Sequence, residues 1–485
     1  MAEPITEAVA ERPGLSRRDR SVVTIVLVAT FVVILNETAL NVALTSIMGD
    51  LHVDERTVQW LTTAFLLTMA VVIPITGWLL ERTPTHNAYL LATSLFTLGT
   101  VICALAPAFA LVLFGRIVQA SGTAIMLPLL MTTVMQLVSP AHRGAMMGTI
   151  SMVISVAPAI GPTLAGVVLQ FTSWRGVFVL MAPIGLIMLV VGALRMVSIN
   201  DPIQVPLDVW SIPLTVAGFG GLVYGLSLIG DTTVPPAELI GVFGVGVVAL
   251  AGFVWRQLLL ARTERALLDL RTFRHRAFTI SVIVMALAMM ALFGVVIMLP
   301  LILQQALHLP PLTVGLMLLP GGLLMGLLGP VTGRLFDRFG PRPLMLPASV
   351  LIAGIFWLLS TIQLNTPVWV VVAAHMVMSA SFAFMFTPLF TVALGSLPKQ
   401  LYSHGSAIVG TVQQVGGAFG TAVFVTALAA QSAAAQESGA AIETSLLIGS
   451  RVAFLGAGAI WTFAIIATLF MTAPTLGDNH EPMLH

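Results

Sequence analysis

Val22 to Ile47 reads VVTIVLVATFVVILNETALNVALTSI, twenty-six residues with one ionisable side chain, Glu37, in their interior. A run of this length exceeds the ~20 apolar residues that carry a helix across a bilayer. It follows Arg17, Arg18 and Arg20, as the core of a secretory signal would. It is too long for such a core and has no small-residue cleavage site behind it, so it is expected to stay as a helix. A carboxylate at bilayer depth costs at least ~2.5–3.5 kcal/mol on insertion scales, and such residues are rare and usually functional. Glu37, beside Asn36, Thr38 and Asn41, is therefore the first candidate for chemistry, as a proton carrier.

Composition supports that setting. Of 485 residues 58% are hydrophobic and 8% charged, against roughly 25% charged in soluble domains. The net charge of +1 gives no reason to expect a nucleic-acid partner. A single cysteine, Cys103, rules out a disulfide framework and makes a thiolate metal cluster implausible.

Apolar runs and their polar breaks predict an all-α integral membrane protein with fourteen transmembrane helices. They fall near residues 22–47, 57–79, 88–106, 109–135, 144–170, 176–197, 209–229, 238–259, 279–303, 312–336, 343–362, 368–394, 405–430 and 449–472. An even number puts both termini on one side, and positive charge should mark that side as cytoplasmic. Seventeen of the 21 Lys and Arg residues then lie in cytoplasmic segments: Arg12, Arg17, Arg18, Arg20, Arg82, Arg143, Arg195, Arg256, Arg262, Arg265, Arg271, Arg274, Arg276, Arg334, Arg338, Arg342 and Lys399. Arg56, Arg175 and Arg451 fall outside, and Arg116 lies within the fourth span. The loop Thr263 to Phe278, TERALLDLRTFRHRAF, reads either as an amphipathic helix on the inner leaflet or as a basic loop that only fixes topology.

GWLLERTPTH, Gly77 to His86, recurs as GRLFDRFGPR, Gly333 to Arg342. Each copy closes an apolar helix and opens a short loop, with Glu81–Arg82 matching Asp337–Arg338. Two copies at equivalent places in two six-helix halves mark a duplicated transporter. Here the chain resembles the major facilitator superfamily, specifically its fourteen-spanner drug:proton antiporters. The repeated segment is similar to that superfamily's Gly-x-Leu-x-Asp-Arg-x-Gly-Arg-Lys loop. The second copy matches at Gly333, Leu335, Asp337, Arg338, Gly340 and Arg342. The first keeps the acid as Glu81 but has Pro84 for Gly, and Thr85 and His86 for the basic pair. FGRIVQASGTA resembles the span-four Arg-x-x-Gln-Gly-x-Gly motif through Arg116, Gln119 and Gly122, with Ala120 in place of one Gly. APAIGPTLAG resembles the span-five antiporter motif through Gly161, Pro162 and Gly166. LNETALNVALT resembles a first-span motif whose Asp falls on Asn36 and whose Pro falls on Thr45. The phrases ILNETALNVAL, QWLTTAFLLT and SVAPAIGPTLAG are similar to the lincomycin-resistance-like branch.

Glu37 alone among the twenty Asp and Glu residues sits well within a span, and Asn36 cannot titrate. Proton coupling in the first span would therefore fall to Glu37, rotated roughly 100° from the family's position. The alternative is a carboxylate that merely neutralises a neighbour. Counted from the span ends at ~1.5 Å per residue, Glu37 lies ~15 Å and Arg116 ~10 Å from the outer face, close enough in depth for direct or water-mediated pairing. Such a pair would either help proton release or be a structural ion pair. Pro158 and Pro162, among small residues, suit a helix around which the halves rock, or plain close packing. Candidates for a polar cavity are Asn36, Asn41, Gln119, His375, Gln413 and Gln414. Gly77, Glu81, Arg82, Pro158, Gly161, Pro162, Gly166, Gly333, Asp337, Arg338, Gly340 and Arg342 are the gating candidates that the resemblance implies.

The only lysine, Lys399, stands in LPKQ, so no phosphate-binding P-loop is present and no ATP site is expected. GVGVVA, Gly244 to Ala249, lies inside the eighth span, where small-residue packing explains it. No metal-ligand cluster appears, and no cofactor is expected. The expectation is the major facilitator fold in a 6+2+6 order: a tail 1–21, a bundle 22–197, a linker with two extra helices 198–278, a bundle 279–472 and a tail 473–485. The protein is expected to be a monomeric, multi-pass protein of the cytoplasmic membrane and not an enzyme. Its partners would be protons, a small-molecule substrate and the lipid bilayer. The function implied is proton-coupled export of lipophilic or cationic drugs. Alternatives are a dedicated exporter of one endogenous metabolite, antibiotic or siderophore, and a non-transporting sensor or scaffold.

Overall fold

The computed structural model describes residues 15–202, 206–229 and 234–471, apart from the side chains of Glu55 and Leu312. The expected tail 473–485 and most of the tail 1–21 lie outside the described residues. Within them the secondary structure is helical throughout. In chain order the long helices are α1 (Arg17–Leu51), α2 (Glu55–Arg82), α3 (Thr85–Leu105), α4 (Phe109–Leu137), α5 (Arg143–Phe171) and α6 (Arg175–Arg195). The middle holds α7 (Ser211–Ser227) and α8 (Pro236–Leu260). Then follow α9 (Arg276–Ala306), α10 (Pro311–Phe339), α11 (Arg342–Leu359), α12 (Val368–Gly395), α13 (Tyr402–Glu437) and α14 (Ile442–Leu469). Thirteen of these are long and apolar enough to cross a membrane, and α7 is a shorter apolar helix interrupted by a π turn at Val216–Gly220.

In hydrocarbon each polar group needs a partner inside the protein. Many buried hydroxyls meet that need on their own helices: Thr30 donates to the Val26 carbonyl, Thr93 to Tyr89 and Thr391 to Thr387, each at 2.8 Å. Such back-bonding leaves the helix surface apolar and free to pack. Exposed Leu98, Leu186, Val248, Leu327 and Phe463 form part of an outer apolar surface.

Hydrogen bonds between loops sort the helix ends into two faces. On one face the Asn200 carboxamide after α6 accepts from the backbone N–H (2.8 Å) and hydroxyl (2.6 Å) of Thr85. There too Arg342 Nε donates to the Met471 carbonyl (2.7 Å), so this face carries the last described residue and is called the terminal face. On the opposite face Asp50 accepts from Trp174 Nε1 (3.0 Å) and Arg175 Nη1 (2.6 Å), while Arg175 Nη2 donates to the Ala106 carbonyl (2.9 Å). His308 and Glu443 pair there as well, at 3.2 Å.

Helices α1 to α6 pack among themselves, as do α9 to α14. The two groups meet along two seams, α5 against α10 and α2 against α13, with α4 also touching α13 and α5 touching α12. Helices α7 and α8 pack on each other, and α7 reaches the rest through α2 and α13. Their ends on the terminal face are pinned by Asp208, which accepts from Arg256 Nε and Nη2 (both 2.6 Å) and from the Ser211 hydroxyl (2.6 Å). The Arg256 guanidinium holds the Asp208 carboxyl well below the usual carboxylate range, at about 2.

The connection from α8 to α9 matches neither expectation for residues 263–278. It is no amphipathic helix on a leaflet; it holds two short 3-10 turns, Ala261–Thr263 and Leu270–Arg274. It is more than a solvated basic loop, because Ala266, Leu267 and Leu268 are buried against the protein. Gln257 Oε1 fixes it by accepting from the N–H groups of Leu267 (2.8 Å) and Leu268 (3.2 Å). Two adjacent leucines needed burial, and the protein offered it before the membrane did.

Candidate transport site and its two gates

Glu37 lies twenty residues into α1, near the middle of its length, and is half-buried. It makes no hydrogen bond or ion pair among the described residues. Arg116, seven residues into α4, is fully buried. Its Nη1 donates to Gln119 Oε1 (2.6 Å), and its guanidinium lies 4.0 Å from the centroid of Phe65. Gln119 Nε2 in turn donates to Thr100 Oγ1 (2.7 Å), which donates to the Phe96 carbonyl (2.7 Å). Arg116 Nε has no partner.

Of the direct or water-mediated pairing expected for Glu37 and Arg116, the direct form is not made. The apolar run ends at Ile47, but α1 continues to Leu51, which lengthens the distance from Glu37 to that helix end to ~21 Å, against ~10 Å for Arg116. Arg116 also turns toward its own helix neighbour Gln119. Glu37 and Arg116 still act on each other through space. The result is a buried cation with an orphaned donor, a site short of one acceptor.

Of the six polar cavity candidates, three are buried in the protein. Gln119 is spent on Arg116. Asn36 has neither amide atom partnered, and His375 has an unpartnered Nδ1, its ring against Gly321 of α10. The other three stay accessible. Asn41 is exposed and accepts from Thr62 Oγ1 (3.4 Å). Gln413 and Gln414 are half-buried, bonded to the Val409 carbonyl (3.4 Å) and to Met69 Sδ across the α2/α13 seam (3.6 Å).

Gly161 of α5 sits on the turn that carries Glu37: a Cβ there would collide with Thr38 Oγ1 and approach the Leu35 carbonyl. Helix α5 remains continuous through Pro158 and Pro162. Gly166 is different, since a Cβ there would meet nothing within 4 Å.

The repeated segments close both seams at the terminal face. Asp337, at the end of α10, accepts from the N–H groups of Gly144 and Ala145 in the first turn of α5, both at 2.8 Å. Gly333 and Gly329 lie so close to Gly144 and Gly148 that a Cβ at any of the four would strike backbone. At the equivalent place Glu81, at the end of α2, pairs with His404 Nε2 of α13 at 3.2 Å, and Gly77 lies beneath that imidazole. Gly340 ends α10 with φ 75, a left-handed conformation that suits glycine. The basic members do not join these contacts. Arg82 lies over Trp78 (4.8 Å), Arg338 over Phe339 (5.1 Å), and Arg342 bonds to Met471.

Phe65, Thr100 and His404 were not singled out from sequence. The first two carry no signal, being ordinary residues of apolar helices. His404 had one: AHRGAMMGT opens α5 and YSHGSAIVGT opens α13, a second internal echo that places His404 opposite Glu81.

A duplicated set of membrane helices, joined along two seams that the repeated acidic segments close, defines a membrane transporter rather than an enzyme. The chain belongs to the Major Facilitator Superfamily, whose description matches residues 26–421. It is 38% identical to the lincomycin resistance protein LmrB of Listeria monocytogenes over 441 residues, 91% of this chain and 93% of that protein. It is 37% identical to lincomycin resistance protein LmrB of Bacillus subtilis over 454 residues, 92% and 94% of the two chains. Among solved structures, the human organic anion transporter MFSD10 superposes with a TM-score of 0.66 at 15% identity, covering 93% of this chain and all of that one. These similarities agree with the lincomycin- and multidrug-resistance-like placement read from the motifs.

Proposed function

We propose that this protein exports lipophilic or cationic drugs or antibiotics in exchange for protons, by alternating access. The observation that carries the reading is Glu37, the one carboxylate far from a helix end among the described residues, half-buried and within the field of a buried Arg116 whose Nε lacks an acceptor. Protonated Glu37 suits one state; in another the charged carboxylate approaches Arg116 and completes its hydrogen bonding. The resemblance to lincomycin resistance proteins supports the export direction and the substrate class. The expected 6+2+6 order, with bundles 22–197 and 279–472 and a linker 198–278, is supported by the packing of α7 and α8 on each other and of α7 mainly against α2 and α13 among the described residues. Fourteen spans with both termini cytoplasmic follow if α7 also crosses; the arginines gathered on the terminal face support that orientation.

Protonation has a route to the gates. Gly161 touches the turn of Glu37, and the same helix α5 meets α10 through Gly144 and Gly148. In the described state the terminal face is closed by Asp337 and Glu81. Alternating access would break both contacts. Asn41, Gln413 and Gln414 are the polar side chains left to line the substrate path, while Asn36, Gln119 and His375 support it from within the bundles.

Purified protein in liposomes with an imposed pH gradient tests this. Wild type drives uptake or export of a lipophilic cation, and Glu37→Gln abolishes the pH-driven component while leaving substrate binding. Full pH-driven flux in Glu37→Gln would refute the assignment. One proton per cycle makes exchange for a monovalent cation electroneutral, so clamping the voltage should leave that flux unchanged.

A further inference from the structure

On the terminal face, α9, α11 and α14 leave a cavity of about 260 Å³ between their ends, lined by Arg276, Ala277, Ile280, Arg342 and Phe470. This is below the ~300 Å³ at which sites for whole small molecules begin. Its two guanidinium groups are not fully engaged inside the protein, unlike those of four other arginines. Arg143, Arg175, Arg256 and Arg271 each donate to a carbonyl or a carboxylate. Arg276 has no acceptor among the described residues and lies 5.8 Å from the Phe470 ring. Arg342 spends only Nε, on the Met471 carbonyl, which fixes its guanidinium and leaves both terminal nitrogens to the cavity. Both arginines open their helices, where the backbone also favours negative charge.

The cavity continues into an apolar stripe. Along α9, Arg276, Ile280 and exposed Ile283 follow one another at helical spacing, and along α14 exposed Phe463, Ile466 and Phe470 do the same. Two guanidinium groups at the mouth and two greasy stripes leading into the membrane match a phosphate ester that carries acyl chains. Arginine pairs with phosphate through two parallel N–H donors, and a choline lipid, although it carries the same phosphate, would bring its own cation beside the two guanidinium groups.

We propose that this cavity binds the head group of an anionic phospholipid, its phosphate on Arg276 and Arg342 and its chains along α9 and α14. The site lies apart from Glu37, Arg116 and the two seams, and goes beyond the export reading. Because it joins α9, α11 and α14, all within the second helix group, an occupied site would brace that group alone.

Native mass spectrometry of the detergent-purified full chain tests it with phosphatidylglycerol and phosphatidylcholine of equal chain length. Wild type should retain phosphatidylglycerol in preference. Arg276→Gln should cut that preference about fivefold, since a basic residue near an anionic surface contributes about a factor of five, and Arg276→Gln with Arg342→Gln should remove it. Arg276→Lys, which keeps the charge but loses the paired donors, should fall between. Arg262→Gln, a basic residue elsewhere on the same face, should change nothing. Equal retention of the two lipids by wild type, or an equal loss in Arg262→Gln, would overturn the proposal. So would displacement of the lipid by equimolar inorganic phosphate, which would mark a site for a free anion. Unchanged binding of phosphatidylcholine in the double variant serves as the control for folding.

Discussion

The two seams have the same layout and different materials. At α5/α10 an aspartate caps the first turn of a helix, and backbone lies on backbone through Gly144, Gly148, Gly329 and Gly333. At α2/α13 a partly exposed Glu81 meets an imidazole, and side chains such as Gln414 and Met69 fill the gap. The first copy of the repeated motif departs from the family pattern and the second keeps it, and this difference is what the departure means physically. A seam of backbone tolerates no substitution. A seam of side chains can rearrange.

The largest separation between them should come from adding one methyl group. Gly333→Ala drives a Cβ into the Gly144 carbonyl, and overpacking of this kind costs typically 1–3 kcal/mol, so the closed state and efflux should fall about tenfold or more. Gly77→Ala meets first the His404 ring nitrogen, which can turn aside, and efflux should fall only about two- to threefold. Equal losses would erase the distinction. Smaller effects are expected from the acids. Asp337→Ala removes charged acceptors from two N–H groups, worth roughly 1.5–3 kcal/mol for such a bond, whereas Glu81→Ala removes a part-exposed contact with an imidazole, worth about 0–1 kcal/mol even if it were a full ion pair. Spin labels across the terminal face should report a larger open fraction in Asp337→Ala than in Glu81→Ala; the reverse order would make α2/α13 the stronger gate.

The smallest effect should arise away from both seams. Asp208→Asn loosens the α7–α8 anchor and should lower the melting temperature by a few degrees, about 1–2 kcal/mol from the lost charged hydrogen bonds, with both seams still closing. Its pH dependence has a definite sign. The folded carboxyl at about 2 lies below its ordinary 3.8, so the contribution is complete above that ordinary value and disappears as pH falls through about 2. Melting between pH 5 and 8 should therefore show no step attributable to this anchor.

The helices were legible because a bilayer demands long apolar runs, and their ends were less so because helices outlast those runs. Helix α13 continues from Gln431 to Glu437 through an alanine-rich stretch that favours helix without being greasy. Helix α14 begins at Ile442, well before its expected span, which sets Arg451 more than two turns into the helix instead of at its start. Glu37 was legible because charge in an apolar helix is conspicuous. Its relation to Arg116 was not, because depth along a helix says nothing of which neighbour a guanidinium turns to. Phe65 becomes notable only with Arg116 stacked on it. The buried fates of Asn36 and Gln119 depended on helix rotation, which periodicity leaves open where both faces are apolar.

Glycine on glycine has a thermodynamic consequence for the alternating access proposed above. Immobilising a side chain costs up to ~1.5–2 kcal/mol in lost rotamers for Met or Gln and nothing for Gly. Closing α2/α13 must freeze Met69, Gln414 and His404; closing α5/α10 through its four glycines freezes no rotamers at those positions. The barer seam can thus be tight without being entropically expensive to re-form on each cycle.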